Sequence, residues 1–176
     1  MKRFKNSFIM IGLLLILLVL SSCTNNRIQE PAIKISYDSN ELKVIYYLDR
    51  NNKEKEDIEE GVKNFMVGKR FIDLPTIDFG EKIDLEALNF ETTKFEVYDY
   101  IVDERGNIVS DYDINPHILT LVEEGNTEFV FEKSEDLERY YDYMVEEKSI
   151  HCLLIRSKIN KSSFAFGTLV LGQNKK

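Results

Sequence analysis

The chain is 176 residues long, with 31 acidic and 23 basic side chains and a formal net charge of −8 at pH 7. This length suits one domain with a sizeable core, and it is too short for a two-lobed solute-binding protein with a hinged cleft. The acidic excess argues against a nucleic-acid partner, because binding to phosphates needs clustered Lys and Arg.

The N-terminus has the pattern of an export signal. A basic head, Lys2 to Lys5, precedes an apolar run from Phe8 to Leu20 that only Gly12 interrupts. As a helix this run would be about 20 Å long, which is shorter than the ~30 Å hydrocarbon core of a bilayer. The pattern therefore predicts a secretory signal peptide rather than a stable membrane span.

The apolar run ends in Leu20-Ser21-Ser22-Cys23. This sequence resembles the lipobox of bacterial lipoproteins, in which an aliphatic residue and two small residues precede a cysteine. In that family the cysteine sulfur receives a diacylglycerol and the chain is cut just before it. The resemblance implies a cleaved signal peptide over residues 1–22, a lipidated Cys23, and attachment to the extracytoplasmic face of the cell membrane. The alternatives are an uncleaved anchor and a signal with an incidental cysteine.

The residues after Cys23 are polar and predict a short tether over residues 23–31. Two acyl chains hold a protein at a bilayer where one chain is only marginal. The predicted signal peptide contains three basic residues and no acidic one, so its removal leaves 154 residues with a formal charge of −11.

The next segment, residues 32–68, predicts a hairpin followed by a short helix. Apolar side chains alternate with polar ones on both sides of a turn at Asp38-Ser39-Asn40, which is typical of paired strands. Helical spacing then predicts a helix over residues 57–67 that Gly68 could end. The alternating residues are Ile33, Ile35 and Tyr37, then Leu42, Val44, Tyr46 and Leu48; the helical ones are Ile58, Val62, Phe65 and Met66.

Residues 69–172 read as a series of short strands separated by turns. Such spacing predicts a mainly β fold, an antiparallel β-sandwich with one or two short helices. A second helical segment is predicted over residues 134–147 as a crossover. The expected strands are 83–87, then 94–102 turning back at 103–107, a hairpin of 117–122 with 127–132, and a closing hairpin of 149–157 with 162–171.

Part of the predicted sandwich resembles a known family of domains. The resemblance rests on Pro75 to Gly80 with Ile83, Phe95 to Tyr100, the Asp103-Glu104-Arg105-Gly106-Asn107 bend, and Phe164 to Phe166 in the closing hairpin. Over residues 75–172 the chain resembles the Ig-like accessory domain of small Gram-positive lipoproteins. The chain departs from that pattern in having no Trp, and it lacks the Cys-Trp-Cys spacing of antibody domains. The resemblance implies an Ig-like fold and an extracytoplasmic location, and it brings no catalytic residues.

Cys152 and two histidines are the candidate reactive groups. Cys152 lies in an apolar run and has no disulfide partner if Cys23 is acylated. We therefore expect Cys152 to be a core residue, with a reactive thiol as the alternative. His151 and Cys152 are neighbours on a strand and should point to opposite faces, so they cannot bind one metal ion together. We expect structural roles for His151 and His117 rather than a zinc site.

Other signatures of metal or enzyme sites fail. Asp111-Tyr112-Asp113-Ile114-Asn115 begins like an EF-hand loop, but Pro116 and Val122 occupy the places that require Gly and Glu. Loose binding of Ca²⁺ at this loop is the alternative. No established nucleophile, zinc-protease or phosphate-loop motif occurs. The prediction is a protein that is not an enzyme and has no cofactor.

The tyrosines Tyr98, Tyr100, Tyr140, Tyr141 and Tyr143 either pair across strands or form a recognition surface. The sequence thus predicts a lipid-anchored, extracytoplasmic binding or accessory module at the cell envelope. Its expected partners are the membrane, through the anchor, and an envelope protein or glycan. The alternatives are a small envelope hydrolase or hydrolase inhibitor that uses surface carboxylates, and a structural protein without a ligand.

Overall fold

A computed structural model describes residues 30–49, 55–121, 126–159 and 162–175. Residues Pro31–Lys176 form a compact unit. The predicted signal peptide, Cys23 and most of the predicted tether lie outside the described residues, so their predictions stay predictions.

The described chain is mainly β, as the alternating pattern predicted, with ten strands and three helical segments. In chain order the elements are β1 (Ala32–Tyr37), β2 (Asn40–Glu41), β3 (Ile45–Asp49), α1 (Lys55–Met66), a 3₁₀ helix (Phe71–Asp73), β4 (Thr76–Asp78), β5 (Lys82–Leu88), β6 (Lys94–Val102), β7 (His117–Thr120), β8 (Asn126–Val130), a second 3₁₀ helix (Leu137–Tyr143), β9 (Ser149–Ile159) and β10 (Ser162–Gln173).

The strands form two sheets. The first sheet has the order β2-β1-β5-β8, and the second has the order β3-β10-β9-β6-β7, with β4 added beside β10. All pairs are antiparallel except β4 with β10, which is parallel. This short parallel strand is a departure from the purely antiparallel sandwich that the sequence predicted. Both β1 and β3, from the segment 32–68, are members of the sheets.

Large apolar side chains fill the space between the two sheets. Alternation along each strand turns one set inward, so that both sheets contribute to a single cluster. Its buried members are Ile33, Ile35, Leu42, Ile77, Ile83, Leu85, Phe95, Val97, Phe129, Phe131, Leu153, Ile155, Phe166 and Val170.

Helix α1 covers the opposite face of the second sheet. Its apolar stripe of Ile58, Val62 and Met66 is buried in a second cluster with sheet residues that include Cys152 and Ala165. The small side chains at these two positions leave room for a helix to approach. The predicted helix is confirmed. The alternation in the sequence of the last strand also matches its two faces, with Phe166 and Val170 on one side and Ala165 and Leu169 on the other.

The predicted first hairpin is wrong beyond its turn. β1 pairs with β2 only through Ser36 with Glu41 and Tyr37 with Asn40. The chain then crosses to the second sheet, where β3 pairs with β10. Thr168 Oγ1 donates a hydrogen bond of 2.9 Å to the Lys43 carbonyl at this crossing.

The predicted hairpin of residues 117–122 with 127–132 is also wrong. β7 pairs with β6 in the second sheet, whereas β8 pairs with β5 in the first. Alternation shows that a strand has one buried face, but both sheets bury their inner faces against the same core. The pattern therefore cannot tell which sheet a strand joins.

The closing hairpin is confirmed. β9 and β10 are paired from Ile159 with Ser162, beside the turn, to Ser149 with Gly172 at the far end. The bend after β6 is confirmed as well, although its return strand is a single bridge between Val102 and Ile108. The predicted crossover helix is the second 3₁₀ helix.

Candidate functional site

A cleft of about 560 Å³ lies where the start of β9 and the end of β10 meet the second 3₁₀ helix. Its apolar lining is Phe79, Leu137, Tyr141 and Met144; its charged lining is Lys133, Glu138, Glu146, Glu147, Lys148 and Lys175. The buried residues Ser149 and Gly172 also line it. The size falls within the range of small-molecule sites in proteins, and the lining joins an apolar wall to polar groups.

A tight turn borders the cleft. Val145 and Lys148 exchange backbone hydrogen bonds of 2.8 and 3.0 Å, which leaves Glu146 and Glu147 as the two turn residues. Their φ angles are +49° and +64°, in the left-handed region that favours Gly, Asn and Asp. The turn at Asp38 and Ser39 has the same type of φ pair, so this strain is not confined to the cleft.

A chain of hydrogen bonds runs inward from the cleft. Ser149 Oγ lies 2.7 Å from His151 Nε2, and His151 Nδ1 lies 2.7 Å from Asp99 Oδ1. A carboxylate only accepts hydrogen bonds, so His151 Nδ1 is the donor to Asp99. In the neutral ring Nε2 is then an acceptor for the Ser149 hydroxyl. We call these three residues the relay.

The strand pairing explains why these three side chains meet. Ser149 and His151 are two residues apart on β9 and so project from the same face. His151 pairs with Ile101 across the strands, which makes Asp99, two residues away on β6, its diagonal neighbour.

The His151 ring is fully buried and fixed by its neighbours. It meets the rings of Phe131 and Phe79 edge to face, with centroids 4.8 and 5.7 Å away. Gly172 lies against it, and a Cβ atom there would be 2.8 Å from Nε2 and 2.7 Å from the Phe79 ring. Only glycine leaves space for both rings.

Of the three relay residues, only His151 was a candidate from the sequence; Ser149 and Asp99 were not. The Ser-x-His spacing in an apolar strand was a usable signal, because such a pair must share a face. Asp99 was harder to find, since it comes from a strand about fifty residues earlier and its place depends on the register of β6 with β9.

The prediction for Cys152 as a core residue is confirmed. Its side chain is completely buried on the α1 side of the sheet, opposite to His151. Burial raises the pKa of the thiol to about 12, with a smaller contribution from Asp99. A thiol with so high a pKa forms almost no thiolate at neutral pH.

His117 and the Asp111 to Asn115 loop do not join the relay's hydrogen bonds. His117 is exposed, and its ring packs edge to face on Phe129 at 5.5 Å. Within the described ranges, no group of three or more His, Cys, Asp or Glu side chains is arranged to hold a metal ion.

The tyrosines divide between two places. Tyr98, Tyr100 and Tyr112 form a stack on the α1 side of the second sheet, with centroid distances of 6.1 and 5.5 Å. The first two are successive same-face residues of β6, so they stack along one strand and do not pair with each other across strands. Burial raises the pKa of Tyr100. Of the other set, Tyr141 lines the cleft and is 64% exposed.

Arg156 completes the tyrosine stack. Its guanidinium carbon lies 4.7 Å from the centroid of the Tyr98 ring. Its Nε atom is buried and has no hydrogen-bond partner among the described residues. The stack and Arg156 border a shallow depression of about 290 Å³, together with Asp113 and Ile114.

None of the helices in the described part of the chain has the length and apolar character needed to cross a membrane. Comparisons with models of protein families, with curated proteins and with solved structures found no match to this chain.

Proposed function

We propose that this protein is a binding module, held at the outer face of the cell membrane by a lipid on Cys23, that binds a small amphipathic group in the cleft. The cleft is the observation on which the proposal depends. It combines an exposed aromatic ring, Tyr141, with apolar side chains and with the Ser149 hydroxyl.

The charges around the cleft favour a ligand without net charge. The lining contains three lysines and three glutamates: Lys133, Lys148 and Lys175, and Glu138, Glu146 and Glu147. Lys175 is held by an ion pair with Glu81 at 2.8 Å. Because equal numbers of acidic and basic side chains line one cavity, neither an anion nor a cation is strongly preferred. The partner we propose is an envelope glycan or protein that carries such an uncharged amphipathic group.

Attachment to the membrane makes a weak binding site effective. A lipid anchor confines the module and its envelope partner to one surface, and the raised effective concentration strengthens contacts of low affinity.

The anchor is tested by changing Cys23→Ala in the native cell. We expect the protein to leave the membrane fraction, or to accumulate as uncleaved precursor, because the lipid can no longer be added. Cys152→Ala is the matched control, since it removes the other cysteine and should leave the protein in the membrane. Cleavage and retention of the Cys23→Ala protein would overturn the lipid anchor.

The cleft is tested by NMR titration of the unit Pro31–Lys176 with two probes, N-acetylphenylalanine amide and tri-N-acetylglucosamine. We expect at least one of them to shift amide signals of the second 3₁₀ helix and the start of β9. Tyr141→Ala should weaken that binding about three- to tenfold, the value of one aromatic contact.

Tyr143→Ala provides the control for the titration. Tyr143 belongs to the same 3₁₀ helix and is 42% exposed, but it does not line the cleft. Binding should therefore be unchanged in this variant. Equal losses in both variants, or no shifts around the cleft with either probe, would contradict the proposed site.

A further inference from the structure

The cleft holds one arrangement that binding alone does not use. Ser149 lines it, and the relay connects the Ser149 hydroxyl through His151 to Asp99. We propose that Ser149 is a nucleophile, activated by His151, that accepts an acyl group from a small uncharged ester bound in the cleft. This inference rests on the cleft being the binding site of the proposed function.

The geometry satisfies what an activated serine needs. A serine hydroxyl is a weak nucleophile until a neighbouring base takes its proton as it attacks. His151 Nε2 is 2.7 Å from Ser149 Oγ, within the distance for direct proton transfer. The order of contacts, hydroxyl to Nε2 and Nδ1 to carboxylate, is the one by which serine triads are recognised on unrelated folds.

Asp99 acts through the histidine and is a positioning residue. Its carboxylate accepts the Nδ1 hydrogen, which fixes the tautomer that leaves Nε2 free to accept. It also stabilises the imidazolium that forms when the Ser149 proton is transferred. Phe79, Phe131 and Gly172 enclose the ring, so the base stays aligned with Oγ without further rearrangement.

The reaction balances with the ester and water alone. Ser149 Oγ forms a bond to the ester carbonyl carbon while its proton moves to His151 Nε2. The ester C–O bond then breaks, and His151 returns the proton to the departing alkoxide, which leaves as an alcohol. Water attacks the acyl-serine in the same way, releasing a carboxylic acid and restoring the Ser149 hydroxyl.

The lining of the cleft selects the substrate class. Leu137, Tyr141 and Met144 provide an apolar wall for an acyl or aryl group. Lys148 also lines the cleft, and its ammonium group donates a hydrogen bond of 3.4 Å to Thr76 Oγ1. Ser149 is only 2% exposed, so a substrate has to reach it through the cleft.

The test is covalent labelling of Pro31–Lys176 with an alkyl fluorophosphonate, a probe that phosphonylates activated serines and expels fluoride. We expect one adduct, mapped by peptide mass spectrometry to Ser149. 4-Nitrophenyl butyrate should also give a burst of 4-nitrophenolate that approaches one equivalent of protein.

The variants separate reactivity from folding. Ser149→Ala should abolish the adduct, whereas Ser157→Ala should not, although Ser157 is an equally buried serine on the same face of β9 whose hydroxyl donates to Thr92 Oγ1. His151→Gln and Asp99→Asn should slow labelling about a hundredfold or more. The melting transition of each variant shows whether it is folded.

The outcomes distinguish this inference from the proposed function. If the neutral probes bind in the cleft but the folded wild-type protein forms no Ser149 adduct, the nucleophile is refuted and the relay is purely structural. If Ser149 is labelled while the neutral probes do not bind, the nucleophile stands and the binding module does not. Labelling that is equally fast in the folded His151→Gln protein would also overturn the inference.

Discussion

The two faces of the second sheet differ in whether their buried polar groups are hydrogen-bonded. On the face toward the first sheet, the relay pairs Ser149, His151 and Asp99 through two hydrogen bonds of 2.7 Å. On the face toward α1, Arg156 Nε is buried beside the stacked tyrosines with no hydrogen-bond partner among the described residues.

This difference follows from what lies opposite each face. The inner face meets another sheet, and the His151 ring is completely buried there, so its two ring nitrogens need hydrogen-bond partners among the neighbouring side chains. The outer face meets the twelve-residue helix α1 together with apolar residues of the flanking segments, among them Leu74 and Ile108. Beyond the helix the tyrosine stack borders an open depression. The buried His151 of the inner face therefore has hydrogen-bond partners, whereas Arg156 Nε of the outer face has none among the described residues.

The largest expected effect is on stability and comes from removing a core side chain of the inner face. Phe166 is 1% exposed and lies between the sheets, in ring contact with Phe90 at 6.1 Å. We expect Phe166→Ala to lower the free energy of unfolding by about 3–5 kcal/mol, because it removes a large apolar side chain and leaves a cavity. Urea denaturation measures the change. Tyr143→Ala, at an exposed ring, should stay within about 0.5 kcal/mol. A loss of less than about 1 kcal/mol in Phe166→Ala would contradict the sandwich core.

The next effect tests the packing of the outer face. Cys152→Ser places a hydroxyl among apolar side chains and should cost about 1–3 kcal/mol. The native thiol should react with a thiol reagent only on unfolding, because burial raises its pKa to about 12 and blocks access. Cys152→Ala keeps the site apolar and should cost less than Cys152→Ser. Fast labelling of the folded protein would show that this face opens.

The comparison of the faces also shows what a sequence can predict. In the last strand, neighbouring residues such as Ala165 and Phe166 must lie on opposite faces, and the structure agrees. Helical spacing located α1 within two residues at its start and one at its end. These patterns are local, and local spacing determines which side chains share a face.

Pairing between strands was not predictable in the same way. The segment after Asn40 was expected to return along β1, but it continues into the other sheet, because the same alternation suits both sheets. The relay required still more, since Asp99 meets His151 only in one register of β6 with β9. The cleft is formed by segments distant in sequence, so no motif could indicate it.

A smaller effect concerns the bend that supports α1. The Ile108 backbone N–H donates a hydrogen bond of 2.8 Å to Glu59 Oε1 on the helix. Within the bend, the Asp103 carboxylate accepts hydrogen bonds from the Arg105 and Asn107 backbone N–H groups, at 2.9 and 2.8 Å. Burial acts to raise the pKa of Asp103, but hydrogen bonds from the Asn107 side chain and from the Asn107 and Arg105 backbones outweigh it, and the pKa lies below the ordinary 3.8.

Because the folded-state pKa is lowered, the ionised carboxylate stabilises the fold above the unfolded value of 3.8, and this contribution is lost as the pH falls below it. We expect Asp103→Asn to cost about 1 kcal/mol at pH 7, since hydrogen bonds to a charged acceptor are stronger than those to a neutral one. Thermal melts from pH 7 downward should show the difference shrinking below pH 3.8. The control is Glu104→Gln, at an exposed neighbour in the bend. A constant difference across the pH range would refute the assignment.

The smallest expected effect tests whether the buried Arg156 Nε on the outer face is unpaired. Arg156→Met keeps the aliphatic volume beside Tyr98 and removes the buried Nε. Removal of an unpaired polar group relieves a desolvation cost, while the lost contact with the ring is worth about 0.5–1 kcal/mol. The two effects oppose each other, so the free energy of unfolding should change by no more than about 0.5 kcal/mol. Arg139→Met, at an exposed arginine, provides the baseline in the same urea denaturation. If Arg156→Met costs more than Arg139→Met by over about 1 kcal/mol, then the guanidinium is as well paired as the relay and the contrast between the faces fails.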